Sequence, residues 1–440
     1  MNTILIKNGT IITLGAVNKV LRGQALLIEG NKIAKIAPEA DFTGRYDKVI
    51  DAHGKIIMPG FINAHMHYYS TFSRGLGKAA PSTNFLEVLD NLWWRLDKKL
   101  TLEDTYYSAL IPMIEAVKHG CTTLIDHHAS PYHITGSLHA IEKAGNEVGL
   151  RNSLCYEVSD RDGEARAEEG LKENYDFAKY AGSLNSNRLK ALFGLHASFT
   201  LSDKTLGRAV ELAADAGVGF HVHVAEGLAD VEKCQAEHGC RIIERFNKFG
   251  ILGNKTIAAH CVHIDEHEMD IVKETGTAIV QNPESNANNA IGTGDMVKIA
   301  GKGILLGLGS DAMTVNMFDE LRMAVWMQHL THDPSKGFME PVNALTVNNA
   351  RIANRYFEGI GELREGCAAD IIIMDYYPAT PFDAGNFAGH LVFGISGAQT
   401  DTTIADGRIL MENKRLCLDL DEKEVYAKSA ELARKLWERF

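Results

Sequence analysis

The feature that most constrains the fold is an alternation of short apolar runs with longer segments of helical period, which begins near Ile62. Two of the longer segments, SDKTLGRAVELAADAG and DEHEMDIVKETG, open on a helix-capping side chain and close on a glycine. Eight strand–helix units in series predict an α/β fold, specifically a (β/α)8 TIM barrel. The eight predicted strands are PGFINAHMH, CTTLIDHHAS, RNSLCYEVSD, KALFGLHAS, VGFHVHVAE, KTIAAHCVH, TAIVQNPESN and GILLGLGSDA.

Both ends of the chain are rich in β-forming residues. Residues 1–58 contain the short runs ILIKNGTII, QALLIEG, KIAKIAP and KVIDAHGKII. Residues 361–440 contain REGCAADIIIMD, HLVFGI and DTTIADGRILMEN, which we predict as strands, and a final helix, EKEVYAKSAELARKLWERF. Because neither end is large enough to bury a core alone, we predict that they form one small β-sandwich beside a barrel of residues 59–360.

Composition excludes several classes of partner. The net charge of -12 argues against a nucleic-acid or anionic-membrane partner. There is no signal-peptide pattern and no apolar run long enough to span a bilayer. The seven cysteines form no C-x-x-C pair, which indicates reduced thiols. We therefore predict a cytoplasmic protein with a small-molecule substrate.

Polar side chains gather where the predicted strands end, which is where the active sites of such barrels lie. His65 and His67 lie two residues apart on a strand and so point to the same face. The other strand-end groups are Asp126, His127, His128, His196, His223, Glu226, His260, His263 and Asp311.

A metal ion explains the paired histidines. A lone strand-end histidine is usually a hydrogen-bonded core residue, but two at this spacing are most simply satisfied by one shared cation. With His223 and Asp311 from later strands, the pattern predicts a metal site.

Four motifs in this order, PGFINAHMH, HVHVAE, AAHCVH and GLGSDA, resemble those of the amidohydrolase superfamily. Within it, the chain is most similar to the branch of cytosine-, guanine- and adenosine-type deaminases and triazine chlorohydrolases. It resembles in particular the SsnA-like aminohydrolases, which are linked to anaerobic purine breakdown. The resemblance includes IKNGTIIT and LREGCAADIIIMD at the two ends. It implies a barrel of the metal-dependent hydrolase type and a homo-oligomer, dimeric or larger.

The resemblance also implies the roles of the site residues. One divalent metal, zinc or alternatively iron, is held by His65, His67, His223 and Asp311. The fourth strand reads FGLHAS, without the lysine of binuclear relatives, so one metal is expected rather than two. The implied catalytic residues are Glu226, His260 and Asp311, and the implied substrate contacts are His196 and Glu226. The remaining strand-end histidines are expected in the core or behind the ligands: His127, His128, His221 and His263.

These residues permit hydrolysis at a carbon–nitrogen bond. A metal ion lowers the pKa of bound water from 15.7 to about 7. Asp311 is suited to take the proton of that water, and Glu226 to protonate a ring nitrogen as the hydroxide attacks. We therefore predict deamination of an amino-substituted nitrogen heterocycle, such as a purine, pterin or pyrimidine, with release of ammonia. Hydrolytic ring opening or dechlorination at the same site is the alternative, and a non-catalytic metal-binding barrel is less consistent with a full set of ligands.

Two further sequence patterns concern possible ligands. GLGSDA matches the G-x-G-x-x-A of dinucleotide-binding proteins, but it closes the last strand–helix unit instead of opening the first.

Adenosine-type relatives bind the sugar through an aromatic residue and a glutamate before the second strand. Here Asp97 stands near the glutamate position and the first aromatic is missing, while Trp93 and Trp94 are core residues or stack on a substrate ring. The sequence therefore disfavours methylthioadenosine and homocysteine-linked adenosine as substrates.

Overall fold

A computed structural model describes residues 3–440 of the chain. Seven strands precede the first strand of the central α/β region, and an antiparallel β4–β5 hairpin and a parallel β1–β6 pair are among them. Their bounds are β1 Thr3–Lys7, β2 Thr10–Ile12, β3 Val20–Leu21, β4 Gln24–Glu29, β5 Lys32–Pro38, β6 Lys48–Asp51 and β7 Ile56–Pro59.

All eight predicted central runs form strands, and the fourth is divided in two at Leu192. These strands are β8 Phe61–Met66, β9 Cys121–Asp126, β10 Arg151–Leu154, β11 Leu189–Ala191, β12 Phe193–Ala197, β13 Phe220–Val224, β14 Ile257–His260, β15 Ala278–Gln281 and β16 Leu306–Leu308. They form two parallel sheets with the orders β11-β10-β9-β8 and β12-β13-β14-β15-β16. Isolated parallel bridges join Val158, after β10, to Leu195 of β12, and Met66 of β8 to Asp311, after β16. The strands therefore direct their carboxyl ends to a common region.

Most helices lie between the central strands, and the last five follow β16. Their bounds are α1 Phe85–Val88, α2 Trp94–Leu96, α3 Leu102–Lys118, α4 Ser137–Val148, α5 Glu164–Ser183, α6 Asp203–Ala216, α7 Leu228–His238, α8 Ile242–Phe249, α9 Glu266–Thr275, α10 Pro283–Asn288, α11 Met296–Gly301, α12 Met317–Thr331, α13 Met339–Asn343, α14 Asn349–Ala353, α15 Phe387–Phe393 and α16 Glu422–Arg439. No helix within residues 3–440 is long and apolar enough to cross a bilayer.

The predicted helix signals act as expected. The Ser202 side chain accepts a hydrogen bond from the Thr205 N–H at the start of α6, and Gly217 ends that helix with a φ of 72°. Asp265 and Glu268 form a reciprocal capping box at the start of α9. Both amphipathic segments therefore begin and end where the sequence predicts.

The two ends of the chain meet in one sheet. After the central region come β17 Ile371–Met374, β18 Thr400–Ala405, β19 Arg408–Glu412 and β20 Arg415–Leu416. β17 pairs antiparallel with β7 inside a seven-stranded sheet, β20-β19-β18-β17-β7-β2-β3, and a separate four-stranded sheet has the order β5-β4-β1-β6. One buried apolar cluster contains Ile6 and Leu26 of the second sheet with Ile57 and Ile371 of the first. Contacts between the distant ends therefore supply a shared core.

One predicted strand is wrong. The run HLVFGI, residues 390–395, lies at the end of helix α15 and not in a strand. Phe387 and Leu391 are four residues apart and both buried, which is a helical spacing, whereas Phe393 is 69 % exposed. A six-residue apolar run does not distinguish the two periods by itself, and the helical partner Phe387 lies outside it.

Candidate active site

Three imidazoles and one carboxylate converge at the carboxyl ends of β8, β13 and β16. The Nε2 atom of His67 lies 2.9 Å from Asp311 Oδ1, and the Nε2 atom of His65 lies 3.4 Å from the same oxygen. The Nε2 atoms of His67 and His223 are 3.2 Å apart. All four side chains are buried. The structure therefore brings together the four residues that were predicted as metal ligands.

Local backbone geometry produces this convergence. Alternation along β8 directs His65 and His67 to one face. The Asp311 N–H donates to the His65 carbonyl at 3.0 Å, and the His67 N–H donates to the Asp311 carbonyl at 3.1 Å. Asp311 itself has a φ of 53°, a conformation that non-glycine residues seldom adopt and that is concentrated at functional sites.

The second ring nitrogen of each histidine is held by a neighbouring group. His65 Nδ1 lies 2.8 Å from His221 Nε2, and His67 Nδ1 lies 2.5 Å from the His127 carbonyl. His223 Nδ1 lies 2.9 Å from the His196 carbonyl. Since a carbonyl only accepts hydrogen bonds, Nδ1 of His67 and of His223 carries a proton, and Nε2 is the nitrogen of each ring that faces the site.

This donor set fits a divalent metal ion. The Nε2 atoms of His67 and His223 face each other at 3.2 Å, close enough for both to bind one cation. The buried Nε2 atoms of His65 and His260 have no hydrogen-bond partner within residues 3–440. One atom each from His65, His223, His260 and Asp311 lies within 4.8 Å of the others. Imidazole nitrogens with one carboxylate oxygen are a donor set that suits zinc.

The protonation states agree with metal binding. Burial lowers the pKa of His65 to about 3 and lowers the pKa of His223 strongly, so both imidazoles are neutral. Burial opposes the charge of Asp311, but its contacts with the His65 and His67 imidazoles hold its pKa well below the usual range. For His67, burial is outweighed by the Asp311 carboxylate, which raises its pKa to about 9. A cation at this point would take the place of that proton.

Glu226 and His260 lie beside this cluster. The Nε2 atom of His260 is 3.5 Å from Glu226 Oε2 and 4.0 Å from Asp311 Oδ2. His260 Nδ1 lies 2.9 Å from Asn286 Oδ1, an acceptor, so Nδ1 carries the proton. Burial, together with the Asp311 carboxylate, raises the pKa of Glu226 well above its ordinary value. This shift favours the protonated form of Glu226, the form that proton transfer to a ring nitrogen requires.

A pocket opens above these groups. Its walls contain His196 and both tryptophans, and the His196 ring centre lies 6.1 Å from that of Trp94. His65 and His260 are not among the lining residues. The pocket is lined by His67, Tyr69, Phe85, Leu89, Trp93, Trp94, Glu157, His196, His223, Glu226, Asn289, Asp311 and Ala312.

The region where relatives bind a sugar has a different use here. Asp97 is fully buried and forms an ion pair with Arg161, and it does not line the pocket. The Arg161 guanidinium in turn lies 5.3 Å from the ring centre of Trp94. Both tryptophans line the pocket, and Trp93 also packs against a buried apolar cluster, so the structure is compatible with a core role and with stacking on a ring.

The remaining strand-end histidines have structural partners. His221 contacts His65, and His127 Nε2 lies 3.1 Å from the carbonyls of both Leu195 and His221. His128 Nε2 is 2.9 Å from Ser130 Oγ. His263 is half-buried and outside the pocket lining. None of the four lines the pocket, as the sequence analysis expects.

Sequence reasoning missed two polar residues at the site. Glu157 follows the third central run and lines the pocket, and Ser285 donates a hydrogen bond to Asp311 Oδ2. Glu157 could have been found from its place after an apolar run, RNSLCY, as the other strand-end groups were. Ser285 does not follow a predicted strand. It lies on α10 and contacts Asp311, which is 26 residues further along the chain.

Comparison with known families agrees with this geometry. The model of the amidohydrolase family matches residues 56–410, which is most of the chain. The chain belongs to the amidohydrolase family. The match includes all the central strands and all the residues assigned to the site.

Similar amidohydrolases extend over nearly the whole chain. A 5-methylthioadenosine/S-adenosylhomocysteine deaminase of Thermococcus sibiricus is 33% identical over 414 residues, 93% of this chain and 94% of the relative. A 5'-deoxyadenosine deaminase of Methanobrevibacter smithii is 33% identical over 444 residues, 99% of each chain. The crystal structure of an adenosine deaminase from Xanthomonas campestris with bound zinc superposes with a TM-score of 0.86 at 20% identity, covering 98% of each chain. This chain therefore shares the fold of that zinc-bound structure.

Proposed function

We propose that this amidohydrolase removes an exocyclic amino group from a nitrogen heterocycle and releases ammonia. The observation that carries the proposal is the position of Glu226, whose pKa burial raises, in the same pocket as imidazoles and a carboxylate that fit a metal. The named activities of the two relatives, both deaminases, support it. The overall reaction consumes one water and converts a ring C–NH2 group to C=O.

The proposed metal ligands are His65, His67, His223 and Asp311. Zinc is the preferred ion because the donor set suits it and because the similar Xanthomonas campestris structure contains it. When bound, the ion supplies Lewis-acid activation of water at neutral pH.

The chain's own residues move the protons. Asp311 is ionised, and its Oδ2 atom, held by the Ser285 hydroxyl, is placed to accept a proton from the attacking water. Glu226 donates its proton to the ring nitrogen beside the reacting carbon, which avoids a ring anion. His260, between Glu226 and Asp311, orients the attacking oxygen. The amine then leaves as ammonia after protonation, because an amide anion is too basic to depart.

The walls of the pocket favour a flat aromatic substrate. Trp93, Trp94 and Phe85 provide apolar and π surfaces, and His196 provides a polar contact. We propose an amino-substituted purine, pterin or pyrimidine as the substrate class. The two relatives are named for 5'-substituted adenosines, which places such nucleosides among the compounds to be tested.

Dechlorination is less well matched to these residues. Chloride leaves as a stable anion and needs no proton, so a protonated Glu226 would have no essential task. Deamination and ring opening both need an acid. Deamination is preferred between these two because it is the activity named for both relatives.

We also propose that residues 59–360 close into a (β/α)8 barrel and that residues 1–58 and 361–440 form a β-sandwich. The bridge between Met66 and Asp311, which joins the first and last central strands, supports closure. The divided fourth strand supports it as well, because β11 pairs with β10 and β12 pairs with β13. The sandwich is supported by the apolar cluster that both end sheets share.

The proposal is tested by ammonia release from zinc-loaded protein. The panel contains guanine, pterin, cytosine, adenine, adenosine, 5'-deoxyadenosine and 5-methylthioadenosine. Turnover of at least one compound, lost on chelation and restored by zinc, is expected. Absence of ammonia from every compound with zinc-replete, folded protein would contradict the proposed activity.

A further inference from the structure

Glu157 is a carboxylate of which only one oxygen is used. It follows β10, is 6 % exposed and lines the pocket. Its Oε2 atom lies 3.1 Å from His127 Nδ1. Its Oε1 atom accepts no hydrogen bond from residues 3–440, and the nearest ring nitrogen, His196 Nε2, is 3.6 Å away, outside hydrogen-bond distance. Glu157 is a lining residue of the pocket, so this oxygen is available to accept a hydrogen bond from a bound molecule.

His127 fixes the direction of this carboxylate. His127 Nε2 lies 3.1 Å from two carbonyl oxygens, so it donates a proton there. His127 Nδ1 faces Glu157 Oε2, and because both ring nitrogens face oxygen acceptors, the geometry corresponds to an imidazolium that donates from Nδ1 to Glu157. The Thr200 hydroxyl donates to the Ala197 carbonyl and so accepts from His196 Nδ1, which leaves Nε2 of a neutral His196 without a hydrogen to give to Glu157. The Oε1 atom of Glu157 is therefore left on the pocket wall as an anchored hydrogen-bond acceptor.

The Glu157 carboxylate lies at the metal end of the pocket. One carboxylate oxygen of Glu157 and one ring nitrogen each of His67, His127 and His223 lie within 4.8 Å of one another. His67 and His223 are two of the proposed metal ligands. A substrate atom bonded to Glu157 is consequently close to the reacting carbon and belongs to the edge of the ring, not to a distant sugar or side arm.

We propose that Glu157 accepts a hydrogen bond from a ring N–H next to the reacting carbon, an inference that rests on the proposed function. This contact selects 2-amino-4-oxo heterocycles of the guanine or pterin type. In these rings the amino-bearing carbon lies between an N–H group and a bare nitrogen. Glu157 binds the N–H group, and Glu226 protonates the bare nitrogen.

The same arrangement disfavours adenine and cytosine rings. Their amino-bearing carbon lies between one bare nitrogen and one carbon, so neither neighbour donates a hydrogen bond. Binding such a ring would exclude water from Glu157 and leave its Oε1 atom unpaired. A site built to bond a polar group discriminates strongly against analogues that lack the group.

The first test is the Glu157→Gln variant, which keeps the size of the side chain. Its amide oxygen would bond His127, leaving the NH2 group, a donor, where the substrate N–H needs an acceptor. We expect kcat/KM for guanine or pterin to fall by about 10- to 100-fold, the range for losing a hydrogen bond to a charged group. Glu164→Gln, an exposed change in α5, is the matched control and is expected to leave kcat/KM unchanged. Wild-type turnover of adenosine but not of guanine or pterin would overturn the inference.

The second test measures binding without turnover. Hypoxanthine has the ring N–H but no amino group to lose, and 1-methylhypoxanthine carries a methyl group in place of that hydrogen. Calorimetry on zinc-loaded wild-type protein should show tighter binding of hypoxanthine, and Glu157→Gln should remove the difference. Equal affinities in the wild type would overturn the inference even if the variant failed to fold. A binding preference without ammonia release from any substrate would support Glu157 and contradict the proposed function separately.

Discussion

Replacing His221 with leucine should weaken metal binding, although His221 is not a ligand. The ring of His65 is fully buried, and its Nδ1–H group has His221 Nε2 as its acceptor at 2.8 Å. His221 Nδ1 faces Cys155 Sγ at 3.8 Å, and the Cys155 thiol donates to the Asp126 carbonyl at 3.3 Å. This chain of contacts fixes the His65 tautomer whose Nε2 lone pair points at Asp311.

The magnitude follows from the burial of the donor. In His221→Leu the His65 N–H loses its acceptor where no water can replace it, and an unsatisfied buried donor costs about 1–3 kcal/mol. His65 could avoid this cost only by turning its ring or changing tautomer, and either change removes a ligand lone pair from the site. We expect the zinc dissociation constant to rise by about 10- to 100-fold, as is typical for the loss of such a supporting group.

The assay is competition for zinc against a chromophoric chelator, with circular dichroism to confirm folding. His221→Gln, whose amide oxygen can still accept, should bind zinc more tightly than His221→Leu. His263→Leu alters a half-buried histidine outside the pocket and should bind zinc as the wild type does. A folded His221→Leu protein with wild-type zinc affinity would refute the reasoning about His65.

Three further predictions concern proton transfer and stability. Glu226→Gln should retain zinc but lose about 10²–10⁴-fold in kcat, and unchanged ammonia release would remove Glu226 from the reaction. Arg151 is fully buried and contacts Asp370 at 2.8 Å. Arg151→Met should therefore lower the free energy of unfolding, measured by urea titration, by about 3–5 kcal/mol. An equal loss from Arg434→Met, at an exposed ion pair on α16, would contradict burial of the ion pair as the cause. Burial raises the pKa of Asp126 to about 7, so this carboxyl keeps its proton in the folded metal-free protein at pH values where the unfolded chain has lost it. Stability relative to Asp126→Asn should therefore fall as pH rises from about 4 to about 7, and a difference that stays constant with pH would be evidence against the assignment.

Much of the architecture could be predicted because it depends on local patterns. The eight central strands follow from apolar runs bounded by caps and glycines, and α6 and α9 begin and end at the capping residues that predict them. The prediction of a strand for HLVFGI was wrong because six residues fit both the strand period and the helix period. Packing of the residues around Phe387 favours the helix. Short runs without flanking signals depend on tertiary packing.

The candidate ligands were predictable for a similar reason. His65 and His67 share a face through strand alternation, and the carboxyl ends of parallel strands meet at one edge, which brings His223 and Asp311 to them. Ser285 and the orienting contact of His221 were not predictable, because neither has a periodic signal. Each depends on a distance across elements far apart in the sequence.

The sequence by itself determined the series of strand–helix units, the imidazole-rich strand ends and the acid, Glu226, that together indicate a metal-dependent hydrolase. Those features are local, since the direction of a side chain follows from the period of its own strand. Only the tertiary structure decided which nitrogen of each histidine faces inward, and that one oxygen of Glu157 is held by His127 while the other lies free on the pocket wall. The physical reason is that hydrogen bonds act over about 3 Å, so tautomers and free acceptors are set by neighbours that only folding brings together.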